Sequence, residues 1–203
     1  MTGIVTYQPD ECQNAVDLLL VTQSLPQPQY DAVTGDFLRH SHRECAARLA
    51  EGDGLVQVVS LGRTVPWLFR LSFRTRGLAR DAAGQVQPWD DHTIALRFLP
   101  DYLRRAQHFE MLQYVGPREP APFHPNICPH TGAICLEIYP GEELLEIVYS
   151  LHDLLRWRLR QFSETDALNR DACSYGRNLV AQPTDDRPLL GRRFRLEFLE
   201  SAK

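Results

Sequence analysis

An α+β domain is the fold class this chain predicts, and three observations carry it. Four strand-like segments follow one another with no helix between them. A proline-rich stretch then interrupts the pattern, and a continuous apolar helical stripe comes after it. The 203 residues are 43% hydrophobic and 24% charged, enough to bury roughly 70% of the unfolded surface, so a disordered chain is excluded. The expected order is an N-terminal helix, a four-stranded antiparallel meander, an irregular loop, then two or more C-terminal helices.

Residues 1–33 read as an extension. It holds a short apolar run (Val16, Leu18, Leu19, Leu20, Val21) closed by the linker-like Leu25-Pro26-Gln27-Pro28. Asp36 to Leu49 reads as a helix, with Phe37, Leu38, Cys45, Ala46 and Leu49 near helical spacing, and Gly52 and Gly54 stop it. Leu55–Leu61, Trp67–Phe73, Thr93–Leu99 and Phe109–Val115 read as strands. In the second, Trp67, Phe69, Leu71 and Phe73 fall on one face. Pro117, Pro120, Pro122 and Pro125 then exclude a helix interior or a central strand. Glu142–Leu159 carries the longest apolar stripe, and Asp166–Leu179 a second helix capped by Thr165 or Asp166, with Leu168, Ala172, Tyr175 and Leu179 on one face. Residues 34–182 thus form the domain. In the tail, 183–203, Arg193-Phe194-Arg195-Leu196-Glu197-Phe198 alternates like a half-buried strand.

The net charge of −4 gives no reason to expect nucleic-acid binding as the main activity. No apolar run reaches the ~20 residues of a membrane span, and the first residues lack the pattern of a secretory signal. Five scattered cysteines (Cys12, Cys45, Cys128, Cys135, Cys173) suit a reducing compartment, so a soluble cytoplasmic protein is expected. Of 22 basic residues only Lys203 is a lysine, leaving 21 arginines. A GC-rich genome explains this; so does avoidance of the one basic side chain that accepts acyl groups.

The stretch Phe123-His124-Pro125-Asn126-Ile127-Cys128-Pro129-His130-Thr131-Gly132-Ala133-Ile134-Cys135-Leu136-Glu137-Ile138 resembles the active-site signature of the ubiquitin-conjugating enzymes: a His-Pro-Asn turn, a Gly, then the acyl-carrying Cys in an apolar run. Ile94–Tyr102 resembles that family's third strand and the turn after it. Ser150–Leu155 resembles the end of its main helix. Asp166-Ala167-Leu168-Asn169-Arg170-Asp171-Ala172 with Asn178 resembles a later helical segment. The likeness covers about residues 36–180. It departs in the loop after the cysteine, where Tyr139-Pro140-Gly141-Glu142-Glu143 runs almost directly into the helix and the family's Trp-Ser-Pro contact for ligases is missing. Leu103-Arg104-Arg105 also follows Tyr102 where the family has proline.

The resemblance implies a UBC-like fold with an active-site loop, and Cys135 as acceptor of a ubiquitin-like protein. The protein arrives as a thioester from an activating enzyme and leaves to an amine on a target protein. Thiol–thioester exchange is nearly balanced in energy, so no adjacent His base is needed. Asn126 would donate to the oxyanion of aminolysis, and equally would tie down its own loop. Asp166 would orient the amine and help it shed a proton, or simply cap the helix. His124 and Pro125 would shape the active-site turn, while His130 is read as exposed and Glu137 as structural. The first helix and neighbouring strands, Asp36 to Phe73, would meet the activating enzyme. Shortened ligase-contact loops occur in bacterial conjugation systems, some with antiviral roles, which the composition fits. No cofactor is expected.

Two alternatives remain open at this stage. One is a non-catalytic module of the same fold that binds a ubiquitin-like protein. The other is a zinc site from His124, Cys128, His130 and Cys135, although Cys-x-x-Cys is lacking. Cys128 is also a possible second thiol for a disulfide with Cys135, and Cys12, Cys45 and Cys173 are read as packing residues.

Overall fold

The computed structural model describes residues 28–62, 64–160, 163–178 and 189. Its element order is the expected one. Helix α1 (Ala32–Ala50) leads into strands β1 (Val56–Ser60), β2 (Leu68–Arg80) and β3 (Val86–Arg97). A single helical turn, α2 (His108–Met111), precedes β4 (Leu112–Gly116) and a two-residue strand β5 (Ala121–Pro122). Helices α3 (Leu144–Leu155) and α4 (Arg170–Arg177) follow. β1 to β4 pair antiparallel in sequence order, and β5 adds to β2 through Ala79↔Pro122 and Arg80↔Ala121.

Helix α1 begins four residues earlier than its apolar spacing indicates. Asp31 caps it, its carboxylate accepting from the Thr34 N–H at 2.7 Å, so a polar cap, invisible to hydrophobic periodicity, sets the start. The inward stripe is narrow: Thr34, Leu38, Ser41 and Cys45. Before it, the Tyr30 hydroxyl donates to the Phe98 carbonyl at 2.6 Å, so the residues read as an extension touch the domain from position 30.

Strands β2 and β3 each run well beyond the expected segments. The alternation Trp67-Phe69-Leu71-Phe73 is buried as expected, but pairing continues past a register shift between Arg74 and Gly77. There Gly77 brings the strand so close to α3 that an added Cβ would lie 2.8 Å from the Leu155 carbonyl oxygen. Phe109, expected in a strand, belongs to the turn α2. A short apolar run does not by itself distinguish strand from helical turn.

The main core lies between the sheet and helices α1 and α3, with Phe69, Leu71, Phe73, Ile94 and Leu96 facing Leu38, Ile147 and Leu151. A hydrogen bond from the Leu144 N–H to Ser41 Oγ (2.7 Å) joins the start of α3 to α1. Leu189, from the region read as tail, is also buried in this core. A smaller cluster, Leu78, Phe123, Trp157 and Ala172, seats α4. Helix α3 starts with a capping box between Glu143 and Glu146. It ends at Leu155 rather than Leu159, because Trp157 turns into the left-handed region (φ 64°) and its N–H closes on the Leu154 carbonyl. The Val16–Val21 run, Cys12, Leu179 and the Arg193–Phe198 alternation lie outside the described residues.

Candidate active site

The proline-rich segment needs an anchor, since its prolines donate no backbone hydrogen bonds. His124 supplies one. Its ring is sealed against Trp157 (centroids 5.0 Å) and its Nδ1 accepts the Asn126 N–H at 3.1 Å, which puts the remaining ring proton on Nε2. Burial first, and then the charge of Arg160, hold the imidazole neutral, pushing its pKa down to about 3. Pro125 contributes its carbonyl, which accepts the Asn169 N–H at 3.2 Å. The active-site turn is therefore bound to the start of α4.

From that turn the chain forms a narrow hairpin. Ile127 pairs with Ile134, Cys128 N–H donates to Ala133 O (2.9 Å), and Cys135 N–H donates to Asn126 O (2.8 Å). Gly132 makes the return with φ 76° and packs directly on β4, where the Tyr114 N–H donates to its carbonyl at 2.7 Å. The Gln113 side-chain amide donates to Thr131 O at 2.9 Å. Cys135 thus lies in an extended segment clamped to a sheet edge, and it is partly exposed. Cys45, Cys128 and Cys173 are buried.

The Asn126 amide donates to the Cys135 carbonyl at 2.9 Å. In this arrangement it closes the loop around the cysteine. Asp166 does not begin a helix. The Ser163 carbonyl accepts its N–H at 3.3 Å, within the turn 164–166. The cap of α4 belongs to Asn169, whose Oδ1 accepts the Ala172 N–H at 3.1 Å. Ser, Thr, Asp and Asn side chains compete for backbone groups, and here the last of them before the helix wins. Freed from capping, the half-buried Asp166 carboxylate acts on the sulfur. Burial, and then the Asp166 charge, raise the Cys135 thiol above its ordinary value, so at neutral pH it is mostly protonated.

Downstream, Tyr139 is exposed. Its N–H donates to Glu142 Oε2 at 3.0 Å, and the Tyr102 hydroxyl donates to the Glu142 carbonyl at 2.7 Å. These bonds fix the short connection into α3.

The four residues of the zinc alternative do not come together. His124 faces the core, His130 is exposed on the hairpin loop, and among the described residues no three His, Cys, Asp or Glu side chains gather to hold a metal ion. No described helix is long and apolar enough to cross a membrane.

Sequence reasoning missed four contributors: Gln113, the bond from Asn169 to Pro125, and the buried His92 and His152. His92 Nδ1 lies 3.2 Å from the Tyr114 hydroxyl, and His152 Nε2 lies 3.2 Å from Thr75 Oγ1. Asn169 had a signal, since an Asn followed by Asp171 in the first turn is a cap pattern. The others had none, because Gln113, His92 and His152 reach Thr131, Tyr114 and Thr75 across the sequence.

No family model and no curated protein matches the chain. Among solved structures it is similar to the ubiquitin conjugating enzyme E2 UbcA1 from Agrocybe aegerita, at 17% sequence identity and a TM-score of 0.46, over 76% of this chain and 100% of that one.

Proposed function

We propose that this protein is a ubiquitin-conjugating-like enzyme. It accepts a ubiquitin-like protein as a thioester on Cys135 from an activating enzyme and transfers it to an amine on a target protein. The observation that carries this reading is the partly exposed Cys135 on a clamped extended segment, its thiol feeling the charge of the Asp166 carboxylate. Of the two histidines in the motif, His124 is buried with its Nδ1 already engaged and His130 is exposed on the hairpin loop. A hydrolase would need an activated thiol and an activated water. An acyl carrier needs neither.

Transfer then depends on the incoming amine, which is protonated at neutral pH with a pKa near ~10.4. Asp166 is suited to draw the ammonium in and take a proton as the amine attacks. The Asn126 amide is suited to turn from the Cys135 carbonyl to the tetrahedral oxyanion. Loss of that donor lowers the rate by about a hundredfold or more. His124 and Pro125 hold the turn that presents both groups. A cavity of about 650 Å³ between α1 and the β1–β2 connection, lined by Arg39, His40, Arg43 and Thr64 among others, lies within Asp36–Phe73, the stretch that on this reading meets the activating enzyme. The short connection after Cys135 and the arginine-rich composition support a bacterial conjugation system, including one of the antiviral kind, and the scattered cysteines support a reducing cytoplasm.

The test is loading. The protein is incubated with a candidate activating enzyme, ATP and a ubiquitin-like protein, then resolved without reductant. A band removed by thiol, absent in Cys135→Ala and thiol-resistant in Cys135→Ser, is expected. Binding of the ubiquitin-like protein without any such band would favour the non-catalytic module.

A further inference from the structure

Arginine occupies every Lys-or-Arg position of these 203 residues except Lys203, and several of the described arginines sit where the fold does not require a guanidinium. A few arginines use the guanidinium itself. Arg80 stacks over the Phe123 ring at 4.4 Å while pairing with Asp171 at 2.9 Å, and Arg97 Nε donates to the Glu110 carbonyl at 2.7 Å. Others make a single contact in water. Arg39–Asp36 (2.7 Å) and Arg105–Asp101 (3.0 Å) are exposed on both sides, where an ammonium would serve equally well. Two exposed arginines contact the segments that carry Cys135 and Asp166. Arg118 donates to the His130 carbonyl at 3.1 Å, on the hairpin that carries Cys135. Arg177 pairs with Glu164, two residues from Asp166.

We propose that the arginine-for-lysine surface protects the Cys135 thioester from intramolecular aminolysis, so that the acyl group is kept for an amine brought by the target. The proposal rests on the conjugating-enzyme reading above. The avoided step is attack of a side-chain amine on the thioester carbonyl. A C–N bond forms, the C–S bond breaks, the Cys135 sulfur leaves and takes up the proton the amine releases, and an isopeptide is left on the enzyme's own surface. Lysine can do this through its small deprotonated fraction, whose pKa of ~10.4 leaves some free amine at pH 8. Arginine cannot, because its guanidinium stays protonated throughout. A site with a carboxylate at Asp166 to receive amines would be especially prone to capture one from its own rim.

The test installs the missing amine while keeping the charge, as Arg118→Lys and Arg177→Lys in the full chain. Cys135 is loaded in two ways: with activating enzyme, ATP and a ubiquitin-like protein, and chemically, by exchange with a soluble peptide thioester ending in glycine. Chemical loading poses the question even where enzymatic loading fails, and a failure of enzymatic loading alone counts against the function rather than against this inference. At pH 8 the lysine variants should lose the thioester about tenfold faster than wild type, as an amine held at millimolar or higher effective concentration would. The rate should not depend on protein concentration, and a thiol-resistant adduct should map to position 118 or 177. Thioester lifetimes within about twofold of wild type in both variants, with no adduct at either position, would overturn the proposal. So would wild type acquiring thiol-resistant adducts as fast as the variants.

Discussion

Cys135 sits under two influences that act in the same direction, burial and the Asp166 carboxylate, both of which disfavour the thiolate. Removing the second should be visible directly. In Asp166→Asn the pH midpoint for alkylation of Cys135 by iodoacetamide, followed by peptide mass spectrometry, should move to lower pH, because a negative charge that opposed ionisation has gone. Burial remains, so the midpoint should still lie above that of a free thiol. An unchanged profile would mean that Asp166 does not face the sulfur. Asn126 poses a different question, since its amide holds the Cys135 carbonyl. If it serves only the loop, Asn126→Ala should impair loading and transfer alike. If it serves the oxyanion, thioester formation should survive while single-turnover transfer to lysine drops by about a hundredfold or more.

At the scale of elements, the hairpin that carries the thiol depends on Gly132. Its φ is 76°, and a Cβ there would lie 2.1 Å from the Tyr114 carbonyl oxygen, which is backbone and cannot swing aside. Gly132→Ala should therefore peel the hairpin from β4, costing about 2 kcal/mol or more in denaturant unfolding and raising protease sensitivity around residues 128–135. Gly84→Ala is the contrast. Its φ is also positive, but no atom lies within 4 Å of its would-be Cβ, so only the backbone penalty applies and its cost should be the smaller. The cap at Asn169 is worth about 1 kcal/mol. Asn169→Ala removes the Oδ1 acceptor of the Ala172 N–H but keeps the backbone N–H that donates to the Pro125 carbonyl, so denaturant unfolding should show that loss while the active-site turn stays tied to α4 and transfer changes little.

For the molecule as a whole, the buried histidines make the fold acid-sensitive. Burial drives the pKa of His124 down to about 3 and that of His92 to about 4, against a weaker opposing pull on His92 from its backbone acceptors, Asp91 and Asp90. Both rings are neutral when folded, whereas the unfolded chain takes up protons near pH 6.5. Their contribution is complete above that value and is lost as pH falls through 6.5 toward the folded values, on the order of 2 kcal/mol per ring by pH 5. Denaturant melts at pH 7 and pH 5 measure the loss, and in His92→Gln the difference between the two should shrink by about 2 kcal/mol. Equal differences in wild type and variant would show that His92 is not held neutral.

How much of this was legible beforehand follows from the range of the forces. The α+β class, the antiparallel order and the apolar stripe of α3 come from hydrophobic periodicity, a property of neighbouring residues, and so they could be read from the chain by itself. The stretch from His124 to Ile138 was legible as a candidate site for the same reason, its residues being contiguous. The early start of α1 at Asp31 and the α4 cap at Asn169 are local polar signals that apolar periodicity passes over, whereas the bond of α1 to α3 at Ser41, the extension of β2 past Gly77 and the packing of Trp157 against His124 where α3 stops were decided by partners distant in sequence. Each of these last three is settled by a hydrogen bond or a close contact that exists only once the layers have packed, and no local pattern encodes a contact of that kind.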